Sequence, residues 1–194
     1  MSAQVNGVCR TGVERINQFA LVIYFPDPLA RFLDELRLEL VAGCRPRAHV
    51  TVLPPRPLSD VGAGLEEARI LTPEFAPFQV EAGEIEIFPE TNVIYIGLSR
   101  GADELEAMHH EMNTGPLRFQ EPFVYHPHIT LAQEFPAAET ARLEELARRR
   151  WREYPGPRSF QAEKVAFVQN TNEKCWLDLA TFELGQPTAV RKRR

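Results

Sequence analysis

Apolar and polar positions along this chain follow two alternating periods, one near 2 and one near 3.6, so strands and helices are expected to alternate. Phe19-Ala20-Leu21-Val22-Ile23-Tyr24-Phe25 is a continuous apolar run of strand length, rich in β-formers, and predicts a central strand. Asp27, with Pro28 in the first turn, caps a helix whose apolar face is Leu29, Phe32, Leu33, Leu36 and Leu40, and Gly43 ends it. His49-Val50-Thr51-Val52 then alternates as a half-buried strand does, until Pro54-Pro55-Arg56-Pro57 stops it.

A short helix is expected over 59–71, then strands over 78–88 and 92–99 joined by a turn at Pro89-Glu90-Thr91-Asn92. Leu105, Met108, His109 and Met112 mark a helix over 102–113, with Gly115 as its stop. After a proline-broken loop, His128-Ile129-Thr130-Leu131 alternates like the earlier motif. A helix over 136–151 uses Leu143, Leu146 and Ala147, and strands over 160–169 and 175–184 follow, separated by Asn170-Thr171-Asn172-Glu173.

The order strand, helix, His-Thr strand, helix, long strand occurs over 19–88 and again over 92–169. Phe78-Gln79-Val80-Glu81 echoes Phe160-Gln161-Ala162-Glu163, and Glu90-Thr91-Asn92 echoes Asn170-Thr171-Asn172, at nearly the offset that separates the two histidine motifs. Such self-similarity indicates duplication of one unit. The expected fold class is therefore α+β, with two pseudo-symmetric lobes of antiparallel sheet, flanking helices, and a central cleft carrying both motifs. Residues 1–17 and the basic tail 185–194, ending Arg191-Lys192-Arg193-Arg194, are expected to be poorly ordered, which leaves 18–184 as one bilobal domain.

Composition narrows the function classes. A hydrophobic fraction of 44% and a charged fraction of 25% describe an ordinary globular protein, and no apolar run approaches a membrane span. A formal net charge of -5 argues against gripping long nucleic acid by its phosphates, while leaving room for a basic cleft that takes one phosphate or an RNA end. Cys9, Cys44 and Cys175 are odd in number and widely spaced, so neither a disulfide framework nor a zinc site is expected, and the compartment is read as a reducing cytoplasm. A monomer is expected.

In a strand, alternate side chains share a face, so His49 and Thr51 point one way and Val50 and Val52 the other; the same holds for His128 and Thr130. Two imidazoles on opposite walls of a cleft suit a reaction that needs a base on one side and an acid on the other. In-line displacement at phosphorus has that requirement, and paired threonine hydroxyls would serve the non-bridging oxygens. This scheme needs no metal. Metal catalysis is the weaker alternative: His126 shares a face with His128, but no carboxylate or cysteine stands at ligand spacing, and His109 and His110 diverge on their helix.

Two HxTx motifs about 80 residues apart in a duplicated α+β chain resemble the two-histidine (2H) phosphoesterase superfamily, which includes bacterial RNA 2′,3′-cyclic phosphodiesterases, also called 2′-5′ RNA ligases. The resemblance covers roughly residues 18–184. It implies that His49 and His128 are the acid and base, that Thr51 and Thr130 bind the phosphate, that no metal or organic cofactor takes part, and that the substrate is an RNA end or a cyclic nucleotide. Members often continue the second motif as His-x-Thr-Leu-Ala-Arg; here Gln133 replaces the arginine. Arg47, two residues before His49, its counterpart His126, and Arg56 are further candidate substrate contacts. Among aromatics that could stack a base, Phe123 and Tyr125 in the loop entering the second motif are preferred over Tyr24, Tyr95 and Trp176. A nucleotide- or RNA-end-binding module without catalysis is the alternative from a different class.

Overall fold

A computed structural model describes residues 13–43 and 47–185. Eight strands and four helices alternate along them: β1 (Arg15–Tyr24), α1 (Leu29–Leu40), β2 (His49–Arg56), α2 (Val61–Leu71), β3 (Phe78–Ile87), β4 (Ile94–Arg100), α3 (Ala102–Met112), β5 (Ile129–Ala132), α4 (Thr140–Glu153), β6 (Ser159–Ala162), β7 (Lys164–Thr171) and β8 (Trp176–Glu183). They form two antiparallel four-stranded sheets, ordered β2-β1-β7-β8 and β5-β4-β3-β6. The fold is the expected α+β arrangement of two pseudo-symmetric lobes.

The duplication is visible in how the sheets share strands. In each, the first strand of one repeat lies between that repeat's His-Thr strand and the last strand of the other repeat: β1 between β2 and β7, β4 between β5 and β3. The helices cross over in the same way, α1 against β5 and α3 against β2. One continuous cluster of buried apolar side chains therefore draws on both sheets and all four helices, including Leu33, Leu36, Val50, Val52, Met108, Ile129, Leu131 and Ala147. Burial of that shared apolar surface is the main force holding the two lobes together.

The continuous apolar run of β1 has a physical cause. Phe19, Leu21 and Ile23 enter the shared core, while Ala20 and Val22 on the opposite face join Ala166 and Val168 in a second, smaller cluster flanked by Tyr24 and Trp176. Thr51 is registered against Val22 and His49 against Tyr24, so this second face is also the one carrying the first motif.

Several boundaries differ from expectation. β1 begins at Arg15, inside the segment expected to be poorly ordered, because its early residues pair with the far end of β7; residues 1–12 and 186–194 lie outside the described residues. Pro28, not Asp27, occupies the residue before α1; the Asp27 carboxylate instead accepts the Arg31 amide at 3.3 Å and the Arg31 guanidinium at 3.1 Å. The single strand expected over 160–169 is two strands in different sheets, β6 on β3 and β7 between β1 and β8. The chain changes sheets at Glu163, where two consecutive exposed residues, Glu163 and Lys164, interrupt the alternation. Cys175 is buried and disulfide-bonded, although an odd number of widely spaced cysteines leads to the expectation of no disulfide framework and a reducing compartment. Among the described residues no helix is long and apolar enough to cross a membrane.

Candidate active site

Each motif histidine is fixed by the same local device. The backbone turns into the strand at the histidine, and the ring folds back on the carbonyl two residues earlier: His49 Nδ1 lies 2.6 Å from the Arg47 oxygen, and His128 Nδ1 lies 2.7 Å from the His126 oxygen. A carbonyl only accepts, so Nδ1 carries the proton in both rings, and in each neutral imidazole Nε2 is left as the acceptor. No described residue hydrogen-bonds either Nε2 or either threonine hydroxyl. Val50, Val52, Ile129 and Leu131 are fully buried, while both histidines and both threonines are partly exposed. The in-out alternation is thus as expected.

The two motifs meet. β2 and β5 are in contact although they belong to different sheets, and the charge of His128 reaches His49. Tyr125, three residues before His128, donates its hydroxyl to the Thr51 carbonyl at 2.6 Å.

Aromatic rings wall each histidine. Tyr24 on β1 meets the His49 ring edge-on at 6.4 Å, and its hydroxyl donates to Asp178 on β8 at 2.7 Å. Tyr95 on β4 lies 5.2 Å from His128, and its hydroxyl donates to Glu86 on β3 at 2.9 Å. Phe88 stacks on Tyr95 at 4.0 Å and contacts both His126 and His128. Gly97 on β4 leaves room for Glu86, whose Oε1 would stand 2.8 Å from an added Cβ. Burial, together with the Glu86 carboxylate, pushes the Tyr95 phenol up to about 12, so it remains a donor.

Charge distinguishes the walls. Burial first, then the Arg37 guanidinium, then the charges of His128 and Arg47, push His49 down to about 4, against the upward pull of the Arg47 carbonyl. His128 is also lowered, by burial and by the charge of His126, with no arginine among the causes. Arg47 lies over the Tyr24 ring at 4.0 Å and 4.0 Å from Asp178, so the −2 residue on this wall is a half-exposed cation held beside its histidine. On the other wall the −2 residue is His126, exposed and edge-on to Tyr95 and Phe88.

The remaining candidates separate. Arg56, a candidate substrate contact, is only 2% exposed: its guanidinium is turned inward to the Pro54 carbonyl, Asn113 Oδ1, the Leu117 carbonyl and Glu121 at 2.5–2.9 Å. Tyr125 has one ring face covered by His109, stacked at 3.9 Å with an interplanar angle of 5°. Phe123 and its neighbour Val124 are strongly exposed, 69% and 94%. Gln133 is exposed just beyond the end of β5. Among the described residues no three His, Cys, Asp or Glu side chains gather as metal ligands would.

Sequence reading missed Arg37, Glu86, Asp178, and the pairing of His109 with Glu121. A signal existed for Asp178, the one charge within Trp176-Leu177-Asp178-Leu179. Nothing local distinguishes Arg37 from the other charges of α1.

Comparison with known proteins places the chain. The model of the 2′-5′ RNA ligase superfamily matches residues 25–174. A Bacillus cytotoxicus protein is 26% identical over 141 residues, 71% of this chain and 79% of that protein. A Geobacillus kaustophilus protein is 25% identical over 134 residues, covering 64% and 73%. Both are phosphoesterases by name only. Escherichia coli LigT, solved with NADP+, has a TM-score of 0.60 at 15% identity, covering 89% of this chain and 99% of LigT. The same protein has been solved with 3′-AMP and with phosphate. TT0787 of Thermus thermophilus has a TM-score of 0.58 at 19% identity, covering 87% and 98%.

Proposed function

We propose a function from the premise that this chain belongs to the 2′-5′ RNA ligase superfamily: it is a metal-independent phosphodiester hydrolase that opens 2′,3′-cyclic phosphates at RNA ends or on nucleotides. The observation that carries the reading is the pair of imidazoles on the contacting strands β2 and β5, each oriented by an equivalent Nδ1 contact. The nucleotide and phosphate complexes of the Escherichia coli neighbour are consistent with a nucleotide substrate.

The chemistry follows from the charges. His49, beside Arg37 and Arg47, starts neutral, and its Nε2 takes a proton from the attacking water. The water oxygen forms a bond to phosphorus while the bond to the 2′ or 3′ oxygen breaks in line. His128 is lowered too, by burial and the His126 charge, but not by an arginine, and in this reading it is the ring that enters protonated and gives its Nε2 proton to the departing oxygen. The Thr51 and Thr130 hydroxyls donate to the non-bridging oxygens, where negative charge builds. Arg47 and His126, each two residues before its histidine and open to solvent, would contact the sugar-phosphate chain in this reading, and the exposed Phe123 would stack a base. A 5′-hydroxyl attacking in place of water, with the phosphorus bond to the 3′ oxygen breaking, would join ends through a 2′-5′ linkage, which predicts weak ligase activity.

Incubation with 2′,3′-cyclic nucleotides and a short RNA ending in a cyclic phosphate, in EDTA, tests this reading. Turnover by wild type that His49→Ala and His128→Ala both abolish supports it, and the position of the product phosphate identifies the leaving oxygen. Tight nucleotide binding without turnover would replace it with a binding module.

A further inference from the structure

We infer that Tyr125 is a positioning residue: it ties the second motif to the first and sets the distance between the two imidazoles. This rests on the two-histidine reading above.

Among the described residues β2 is an edge strand, so alternate carbonyls along its outer side have no strand partner there. One of them, that of Thr51, is the acceptor of the Tyr125 hydroxyl at 2.6 Å. Thr51 belongs to the first motif, and Tyr125 precedes His128 by three residues, so this bond spans the cleft's two walls near the reacting groups. Burial first, then Glu121 and Glu106, raises the Tyr125 phenol, which therefore stays protonated and keeps donating.

A single bond to a loop would yield easily, but Tyr125 is braced. Its ring stacks on His109 of α3 at 3.9 Å, and His109 Nε2 lies 3.0 and 3.1 Å from the two oxygens of Glu121. Glu121 accepts the Arg56 guanidinium at 2.5 Å, and Arg56 closes β2. The contacts thus form a ring that leaves β2 at Thr51, crosses Tyr125, His109 and Glu121, and returns to β2 at Arg56. Arg56 further holds Asn113 and Leu117, at the start of the same loop. Both ends of the chain between α3 and β5 are consequently fixed to the first motif's strand. Without the hydroxyl bond, only the end nearer α3 stays fixed to β2, and His128 is freer to move relative to His49.

Tyr125→Phe keeps the ring and its stacking while removing the one bond to Thr51, and His109→Phe keeps stacking while removing the link to Glu121. With a 2′,3′-cyclic nucleotide as substrate, Tyr125→Phe is expected to lower kcat roughly 10- to 100-fold with KM changed less than about 3-fold, because a small misplacement of a catalytic group costs rate more than binding. The effect of His109→Phe should be in the same direction and smaller.

A readout independent of turnover is the NMR titration of His49 with and without His128→Ala. That substitution should raise the His49 midpoint in the wild-type background and raise it by less in Tyr125→Phe, since the two rings are then farther apart. Wild-type kcat in Tyr125→Phe, or an unchanged response of His49 to His128→Ala, overturns the inference. If wild type shows no turnover on any cyclic phosphate while the titration response still depends on Tyr125, the positioning role stands and the hydrolase reading fails.

Discussion

On one wall of the cleft His49 gives Nδ1 to the Arg47 carbonyl, faces Tyr24, and feels the charges of Arg37 and Arg47; on the other, His128 gives Nδ1 to the His126 carbonyl, faces Tyr95, and has no arginine among the groups that shift it. The orientation of the rings is duplicated and the electrostatics are not. Backbone geometry is shared because each motif opens a strand that must bury its aliphatic residues. The charge on each wall comes instead from residues outside the four-residue motifs, where the repeats have diverged. A symmetric scaffold can in this way supply two rings in the same tautomer and still give them different charge environments.

The largest expected effect tests whether the walls act as one device. His49→Ala and His128→Ala should each lower kcat by about 10²- to 10⁴-fold, the contribution of a positioned acid or base. The double variant should lose little more than the weaker single, since either loss disables the proton relay. Additive losses would show two independent sites.

Next, Thr51→Val and Thr130→Val should lower kcat by about 10²-fold each, as loss of one donor to a developing oxyanion does. If only one of them does so, phosphate binding is as asymmetric as the charges, and the comparison sharpens to one catalytic and one supporting hydroxyl.

A stability effect separates the walls without substrate. The unfolded chain begins to protonate His49 near its ordinary value of 6.5, whereas the folded chain resists until about 4. The unfolded state therefore binds more protons in that window, and stability falls as pH drops from about 6.5 towards 4, by on the order of 3 kcal/mol from this group. Urea unfolding of wild type and His49→Gln at several pH values should show the variant losing less stability on acidification. Parallel curves would mean that His49 is not held neutral.

The smallest expected effect belongs to Arg47. Arg47→Gln removes one cation beside His49, so the acidic limb of the pH dependence of kcat/KM should move to higher pH, with little change at neutral pH. His126→Gln should not move that limb upward. Equal responses would erase the distinction between the walls.

Much of this organisation was legible in the sequence because it rests on periodicity. Val50, Val52, Ile129 and Leu131 are buried as alternation requires, and the doubled order of elements anticipates two sheets of the same design. The crossover at Glu163 was missed because strand period is the same whichever sheet a strand joins. Only the adjacent exposed pair Glu163-Lys164 marks the change. Arg56 was misread for a related reason: an arginine after a proline stop resembles a surface residue, and its buried partners Asn113, Leu117 and Glu121 lie 57 to 65 residues away. Tyr125 was singled out near the site, but its attachment to the Thr51 carbonyl depends on backbone placement that no side-chain pattern encodes.

The most direct measurement is an NMR titration of the two imidazoles in the free protein, with His49→Gln and His128→Gln used to assign the signals. With His49 as base and His128 as acid, His49 stays neutral down to about pH 4 and His128 takes up its proton at a higher pH, both as Nδ1–H tautomers when neutral. A His49 signal that protonates at the same pH as His128 or above it would contradict the assignment of opposite roles to the two walls.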